Sequence, residues 1–216
     1  MNVGIGQNES IIDILKSVGA VITDDHFVYT SGKHGEIYIN KDALYPHTEK
    51  TSRVGRMFAE RNQQYEIDVV AAPALGGIIL SQWTAYHLSE IKSQEVLGIY
   101  TEKDTDKNQI FTRGYDSFVT GKRVLVVEDL TTTGDSVMKV VRTVEHVGGI
   151  VVAVSVMVNR NPEEVNADTM GVPFSALGEL KAIAYDAHDC PFCQEQRPIN
   201  TNVGHGKKYL AAKGLL

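Results

Sequence analysis

Residues 124–136, VLVVEDLTTTGDS, have the residue types of a sugar-phosphate site. An apolar run ends in two adjacent carboxylates, Glu128 and Asp129, and a hydroxyl-rich turn leads through Gly134 into a predicted helix. Backbone N–H groups at a helix start bind phosphate, and Thr and Ser hydroxyls add donors. The paired acids would repel a bare phosphate, but they can accept hydrogen bonds from sugar hydroxyls. The pattern therefore indicates a ribose-5-phosphate ligand.

A plainer interpretation of the same residues is structural. Glu128 and Asp129 could be a solvated strand end, and the turn after them could be a helix cap. The apolar run, the paired acids, the hydroxyl turn and the glycine occur together, which favours the ligand site. The segment is neither a Walker loop, because no Gly-Lys-Ser/Thr follows a glycine-spaced run, nor a dinucleotide fingerprint.

The spacing of apolar residues predicts the elements that position this segment. Helical spacing predicts helices over 9–19, 48–64, 78–88 and 135–147. Apolar runs predict strands over 67–72, 96–100, 123–127 and 150–158, and the last two are apolar on both faces, as buried parallel strands are. This alternation predicts an α/β fold with an open wound, mostly parallel sheet flanked by helices. Its carboxyl edge, where ligands bind in such sheets, receives the acids.

Two further segments stand apart from this alternation. Residues 26–42 hold two apolar-aromatic runs around Ser31 and Gly32, which predicts a hairpin or strand pair around a glycine turn. Residues 101–114 are polar, charged and poor in helix or strand signal. We interpret them as a long mobile loop, and long loops inside compact domains are usually functional.

Composition excludes several classes of function. The 216 residues carry a net charge of −6, so we expect no nucleic-acid partner. No apolar run approaches the roughly 20 residues that cross a bilayer, so we expect no membrane partner. The first residues lack the basic start and apolar block of a signal peptide. We therefore expect a cytoplasmic protein.

The two cysteines, Cys190 and Cys193, form half of a zinc site. His188 and His205 are the nearest histidines that could complete it. The alternative is a pair of reduced thiols in a C-terminal turn, and the sequence leaves both open.

Residues 128–136, EDLTTTGDS, resemble the signature of the type I phosphoribosyltransferases, which use 5-phosphoribosyl-1-diphosphate (PRPP). Four further segments resemble orotate phosphoribosyltransferases in particular: HFVYTSGKHGEIYIN, VVAAPALGGIILS, YTEK and CPFCQEQRPIN. The resemblance covers roughly residues 10–200. It implies one domain over 1–216, with a core at about 48–170, a small hood from about 1–47 and 171–216, and a mobile lid at about 101–114.

The resemblance also implies an activity. Such an enzyme transfers the ribose-5-phosphate of PRPP to orotate, which gives orotidine 5′-monophosphate and pyrophosphate in pyrimidine (UMP) biosynthesis. Mg²⁺ would be the cofactor, held mainly through PRPP or pyrophosphate, with no metal expected to be ligated directly by the protein. The expected partners are PRPP, orotate and a second copy of the chain in a homodimer.

Site residues follow from the resemblance by position. Catalytic roles fall on Lys103, Glu128 and Asp129. PRPP binding falls on Glu128, Asp129, Leu130, Thr131, Thr132, Thr133, Gly134, Asp135 and Ser136, and on Lys103, Lys107 and Arg113 of the lid. Orotate contacts fall on Thr132, Arg160, Tyr38 and Ile39. The pyrophosphate loop falls on Ala74, Leu75, Gly76 and Gly77.

The chain departs from the family's pattern at three positions. Thr30 and Gly76 stand where many members have Lys, and Gln109 is the residue nearest to a missing lid His. The signature itself fits throughout, although Asp135 stands where many members have Gly or Thr and some have Glu. A bacterial branch that shares the PALGG and CPxC segments also lacks those lysines. Two alternatives stay open: a phosphoribosyltransferase for another base, such as uracil, a purine or xanthine, and a PRPP-sensing regulator without catalysis.

Overall fold

A six-stranded sheet forms the centre of the computed structural model, which describes residues 9–215. The helices are α1 (Ile11–Ser17), α2 (Thr48–Asn62), α3 (Gly76–Lys92), α4 (Asp135–His146), α5 (Ala167–Met170), α6 (Pro191–Gln194) and α7 (Gly206–Ala212). The strands are β1 (Val21–Ile22), β2 (Phe27–Val28), β3 (His34–Gly35), β4 (Tyr38–Ile39), β5 (Val69–Pro73), β6 (Leu97–Lys103), β7 (Gln109–Ile110), β8 (Arg123–Thr131), β9 (Ile150–Asn159) and β10 (Phe174–Glu179).

The sheet has the order β10-β9-β8-β5-β6-β7, and every pairing is parallel except β6 with β7. β8 lies in its interior, and its apolar residues alternate between two hydrophobic clusters. Leu125 and Val127 face the cluster that includes α2 and α3, while Val124 and Val126 face the cluster that includes α4. The predicted α/β fold, an open and mostly parallel sheet between helices, is confirmed.

β8 is longer than the sequence predicted. The predicted strand ended at Val127, whereas pairing with β9 continues through Leu130 and Thr131. β6 likewise runs on to Lys103. Strand prediction stopped where the side chains become polar, but the backbone ladder does not depend on side-chain polarity. Both extensions bring polar residues to the carboxyl edge of the sheet.

The predicted lid at 101–114 contains regular structure, whereas the sequence predicted a loop. β6 and β7 form an antiparallel hairpin in which Lys103 pairs with Gln109. The carboxylate of Asp104 accepts the backbone N–H groups of Asp106, at 2.9 Å, and Asn108, at 2.8 Å, and so closes the turn as Asp commonly does. The hairpin is local order that the charged sequence did not reveal; mobility of this segment stays a prediction.

The two ends of the described chain pair with each other to one side of the sheet. β2 and β3 form the predicted hairpin around the glycine turn. His34 and Tyr185 exchange two backbone hydrogen bonds of 2.8 Å, and the backbone oxygen of His26 accepts from Asn200 N–H at 2.8 Å. We call the paired segments, residues 20–47 and 180–215, the hood. The expected hood, about 1–47 and 171–216, also included residues 9–19 and 171–179, but β10 lies in the central sheet and α1 contributes Ile11, Ile14 and Leu15 to the main hydrophobic cluster. Residues 1–8 and 216 lie outside the described part.

The helices are of ordinary length for a globular fold. The longest in the described part, α3, has 17 residues. Within residues 9–215, no helix has both the length and the apolar character needed to cross a membrane.

Candidate active site

The end of β8 and the start of α4 build the predicted sugar-phosphate segment. Gly134 precedes α4 with a φ of 79°, in the left-handed region that glycine adopts without strain. Thr131 is buried, and its hydroxyl accepts the N–H of Gly134 at 3.1 Å, which fixes the turn. Thr132, Thr133 and Ser136 are exposed around the helix start. The Thr133 hydroxyl donates to Oδ2 of Asp135 at 3.0 Å. The hydroxyls of Thr132 and Ser136 and the N–H groups at the helix start are donors of the kind that bind phosphate.

Asp129 is compensated by two residues from the hood. Its Oδ2 atom lies 2.9 Å from Nζ of Lys41 and accepts a hydrogen bond from the hydroxyl of Tyr45 at 3.2 Å. Its Oδ1 atom accepts the N–H of Leu130 at 2.6 Å. Because only 6% of Asp129 is exposed, these contacts replace most of the water that a carboxylate requires.

Burial shapes the proton affinities of the groups around Asp129. Burial, and then the neighbouring Asp129 carboxylate, raises the pKa of Glu128 well above its usual range. Burial is the largest single influence on Lys41 and acts to lower its pKa, but the charges and hydrogen bonds of Asp129 and Asp42 together outweigh burial, and the net pKa is raised. Burial and then Asp129 raise the pKa of Tyr45, so its hydroxyl stays protonated and donates. The paired acids therefore carry less net negative charge than their sequence suggests, which eases the approach of a phosphorylated ligand.

The acids line a cleft of about 180 Å³, here called the acidic cleft. Around it the structure brings together the paired acids, two lysines and the turn after β5; its lining comprises Lys41, Pro73, Ala74, Leu75, Gly76, Lys103, Gln109, Glu128, Asp129, Leu130 and Ser136. The Ala74–Leu75 peptide bond in this turn is cis. Residues predicted for the pyrophosphate loop, for catalysis and for PRPP binding thus meet at one place.

Gly76 permits the close approach of this turn to Asp129. A Cβ atom at position 76 would overlap the Asp129 carboxylate and lie 2.7 Å from Nζ of Lys41. A lysine side chain, which many family members have here, would not fit beside this ion pair. Lys41 instead brings a positive charge to the acidic cleft from the hood.

A second cavity, of about 430 Å³, lies on the other side of the sugar-phosphate segment and is here called the hood pocket. Its lining is Tyr29, Thr30, Ser31, Lys33, Thr132, Thr133, Arg160, Ala182 and Ala184. The guanidinium carbon of Arg160 lies 4.8 Å from the ring centroid of Tyr29. The Tyr29 hydroxyl donates to the backbone oxygen of Ile37 at 2.7 Å, which orients the ring. Nε of Arg160 is buried and has no hydrogen-bond partner among residues 9–215.

Eight of the predicted site residues line neither cavity. Four of them, Gly77, Thr131, Gly134 and Asp135, are adjacent in sequence to lining residues, and the other four are Tyr38, Ile39, Lys107 and Arg113. Tyr38 and Ile39 are consecutive in β4, so their side chains point to opposite faces of the strand. Ile39 is buried in the main hydrophobic cluster, and the ring of Tyr38 packs on Phe27 with centroids 5.4 Å apart. In the lid, the backbone oxygen of Lys107 accepts from Lys139, and Arg113 pairs with Glu102 at 3.4 Å.

A third groove, of about 590 Å³, lies between the lid hairpin and α4. It is lined by Asn108, Gln109, Ile110, Phe111, Asp116, Lys139, Arg142, Thr143, His146 and Val147. Although it is larger than the acidic cleft, none of the predicted site residues lines it, so volume alone would misplace the site.

Sequence reasoning missed Lys41, Tyr45 and Tyr29. All three belong to the N-terminal part of the hood and reach the site only through the tertiary fold. Tyr29 stands next to the Ser-Gly turn that the analysis singled out, and this adjacency is the one signal that could have found it. Nothing local distinguishes Lys41 from other surface lysines.

Known proteins with similar sequences are phosphoribosyltransferases, which agrees with the geometry of the site. The family described as "Phosphoribosyl transferase domain" matches residues 40–173. An orotate phosphoribosyltransferase of Caldanaerobacter subterraneus is 33% identical over 193 residues, which is 89% of this chain and 95% of that protein. Another, of Desulforamulus reducens, is 35% identical over 190 residues, 88% of this chain and 93% of that protein.

The chain belongs to the orotate phosphoribosyltransferase family. Among solved structures, the orotate phosphoribosyltransferase of Mycobacterium tuberculosis in complex with Fe(III) dicitrate has a TM-score of 0.63 at 23% identity, covering 79% of this chain and 96% of its own. The same enzyme has been solved in complex with PRPP. At this identity the likeness shows the fold, which agrees with the sheet and helices described above.

We predict that Lys41→Gln weakens PRPP binding about tenfold or more, since a charge-assisted hydrogen bond contributes roughly 1.5–3 kcal/mol. The substitution removes a cation from the acidic cleft and leaves Asp129 without its partner. Calorimetric titration with PRPP and Mg²⁺ measures the change, and Lys92→Gln, at the far end of α3, is the control. An unchanged affinity for PRPP would show that Lys41 serves only to balance Asp129.

Proposed function

We propose that this chain is an orotate phosphoribosyltransferase that transfers the ribose-5-phosphate of PRPP to a ring nitrogen of orotate. The products are orotidine 5′-monophosphate and pyrophosphate, as in pyrimidine biosynthesis. The observation that carries the proposal is the position of residues 124–136 between two cavities. One is the acidic cleft with its lysines, and the other is the hood pocket with the unpartnered Nε of Arg160.

PRPP fits this arrangement group by group. Its 5-phosphate would lie at the start of α4, among the N–H groups and the hydroxyls of Thr132, Thr133 and Ser136. Its ribose hydroxyls would donate to Glu128 and Asp129. Its diphosphate would then extend into the acidic cleft towards Lys41 and Lys103.

The reaction needs positioning and charge stabilisation more than a protein nucleophile. The bond between C1 of the ribose and the diphosphate oxygen breaks, and a bond from C1 to the orotate nitrogen forms. The transition state resembles an oxocarbenium ion, as in glycoside chemistry. Anionic orotate supplies the electron pair, while Lys41 and Lys103 stabilise the departing pyrophosphate.

Arg160 supports orotate as the acceptor. A planar guanidinium binds a carboxylate with two parallel hydrogen bonds, and orotate is a pyrimidine that bears a carboxylate. The ring of Tyr29 holds this guanidinium beside the pocket, and its Nε is left for a ligand. An uncharged base such as uracil would leave this half-buried guanidinium without a carboxylate.

Mg²⁺ is part of the proposal as the cofactor. The acidic cleft offers carboxylate oxygens, Glu128 and Asp129, which are the donors that this ion prefers. Asp129 already pairs with Lys41, so we propose that the ion is held mainly through PRPP and pyrophosphate. When bound, it supplies further positive charge for the diphosphate.

We also propose a homodimer. Leu75, Ile79 and Tyr86 are exposed by 84%, 37% and 53%, and they lie on one face at the start and along α3. An exposed apolar row beside a site is the kind of surface that a symmetric partner covers. Sedimentation of the purified chain should give twice the mass of one chain, and a monomer at micromolar concentration would oppose the proposal. The cytoplasmic location stays a prediction from the sequence.

The decisive assay for the activity is spectrophotometric, with orotate, PRPP and Mg²⁺. We expect loss of orotate with stoichiometric release of pyrophosphate, and no comparable turnover of uracil, purines or xanthine. Turnover of another base without orotate would favour the first alternative. Binding of PRPP without pyrophosphate release from any base would favour a regulator.

We predict that Arg160→Lys raises the KM for orotate about tenfold while the KM for PRPP changes little, because the charge remains but the planar fork is lost. Steady-state titration of each substrate gives the two constants. Arg142→Lys, on the outer side of α4, is the matched control. An equal rise in both constants would mean that Arg160 acts on the loop rather than on the base.

Lys103 and Lys107 offer a matched pair within the lid. Lys103 lines the acidic cleft and Lys107 does not. We predict that Lys103→Ala lowers kcat about 100-fold, with a much smaller change in the KM for PRPP, because the charge acts on the departing group. Lys107→Ala should change kcat by less than about threefold. A larger loss of kcat in Lys107→Ala than in Lys103→Ala, measured by the same assay, would show that Lys107 and not Lys103 contacts the substrate.

A further inference from the structure

Four potential metal ligands meet inside the hood, away from the acidic cleft. They are His26, His34, Cys190 and Cys193, and one ligand atom from each lies within 4.8 Å of all the others. His26 immediately precedes β2 and His34 is the first residue of β3, whereas Cys190 precedes α6 and Cys193 lies within it. His34 and Cys193 are 159 positions apart in the chain, so the fold, not the local sequence, creates the cluster.

Three of the six separations between the ligand atoms are those of a tetrahedral zinc site, and all six are no more than 4.8 Å. With Zn–N of about 2.0–2.1 Å and Zn–S of about 2.3 Å, neighbouring ligands lie roughly 3.3–3.8 Å apart. Sγ of Cys190 is 3.6 Å from Nε2 of His26, and Sγ of Cys193 is 3.8 Å from the same nitrogen. Sγ of Cys193 is 3.3 Å from Nδ1 of His34. Nε2 of His26 and Nδ1 of His34 are 2.8 Å apart, so the two rings would have to move apart slightly to bind the same ion.

Hydrogen bonds cannot satisfy all the polar atoms around Nε2 of His26. Nδ1 of His26 lies 2.9 Å from the backbone oxygen of Arg197, which can only accept, so the proton of a neutral ring is on Nδ1. Nε2 then has a single lone pair, yet one nitrogen and two thiols crowd around it. A cation at the centre would bind all four groups at once. A backbone carbonyl that fixes the tautomer of a ligating histidine is a common companion of metal sites.

The burial and the charge of the four ligands indicate which metal ion they would bind. His26, His34 and Cys190 are 1%, 0% and 0% exposed, and the rings of Phe192 and Tyr209 pack against the histidines. Two thiols that release their protons balance a divalent cation, which makes a neutral buried site. Two sulfurs and two imidazoles suit zinc, and four protein ligands leave no open position for catalysis.

We propose that His26, His34, Cys190 and Cys193 bind a structural zinc ion that fastens the C-terminal segment to the N-terminal hairpin. This differs from the histidines that the sequence suggested. His188 is exposed and lies beside Asp189, and His205 lies 3.1 Å from the hydroxyl of Thr30. The zinc site is separate from the Mg²⁺ of the reaction, for which no direct protein ligand is expected, and it decides between the two alternatives that the sequence left open for the cysteines. The ion holds residues 29–33 between its two histidine ligands, and these residues form one wall of the hood pocket.

Metal analysis of the whole chain tests the proposal without reference to activity. The chain is made without a histidine tag, because a tag would bind metal, and is purified without added zinc or chelator. We expect about one zinc per chain by elemental analysis. Cys193→Ser, which alters a half-buried ligand, should lose it, and His188→Ala should keep it.

Cobalt substitution reports the ligand set directly. Wild-type chain and His188→Ala loaded with Co²⁺ should show the visible absorption of a tetrahedral site and a thiolate-to-metal charge-transfer band. A strong chelator should lower the melting temperature of the wild-type chain and leave that of Cys193→Ser unchanged, since ion binding contributes folding free energy only where the ion is held.

Three results would overturn the proposal. One is a metal-free folded chain whose two thiols react with a thiol reagent, which would make the cluster a hydrogen-bonded one. Another is a disulfide between Cys190 and Cys193. The third is stoichiometric zinc that is lost from His188→Ala, which would assign the site to a different set of ligands.

Discussion

Two adjacent carboxylates buried at the end of an interior strand are the constraint on which the rest of the site depends. Burying a carboxylate is costly unless it is paired or protonated. The fold meets this cost for Asp129 with Lys41 and Tyr45 from the hood, while Glu128 has a raised pKa. Because Asp129 belongs to the sheet and Lys41 to the hood, their ion pair joins these two parts of the fold. Gly76 leaves room for the pair, since a side chain at this position would overlap it. The site can therefore exist only when the whole chain is folded.

The two cavities divide the chemistry between the sheet and the hood. The acidic cleft has the charges that a diphosphate and a ribose need, and the strands of the sheet bring most of them there. The hood pocket supplies a shaped wall and a single guanidinium, Arg160, from just beyond β9. The proposed zinc ion contributes indirectly, since it holds the β2–β3 hairpin that forms one wall of the hood pocket. The acidic cleft, the hood pocket and the zinc site each depend on contacts between residues far apart in the chain.

The sequence predicted what is encoded locally. The strand, turn and helix around Gly134 follow from the apolar run, the hydroxyls and the glycine, all within a few residues. The strand lengths of β6 and β8 were underestimated, because polar functional side chains interrupt the hydrophobic pattern but not the backbone ladder. Lys41, and His26 with His34, could not be assigned to sites because their partners lie elsewhere in the chain. The CxxC motif left a zinc site and a pair of reduced thiols both open, and the histidines that the structure brings to the cysteines, His26 and His34, are not the His188 and His205 that lie nearest in the sequence.

A crystal structure of the chain with orotidine 5′-monophosphate and pyrophosphate tests the central claim most directly. The account predicts the 5-phosphate at the start of α4, ribose hydroxyls on Glu128 and Asp129, and the orotate carboxylate within hydrogen-bond distance of Arg160. Pyrophosphate should lie beside Lys41 and Lys103. A nucleotide whose base lies outside the hood pocket, or whose ribose does not contact the paired acids, would contradict the account.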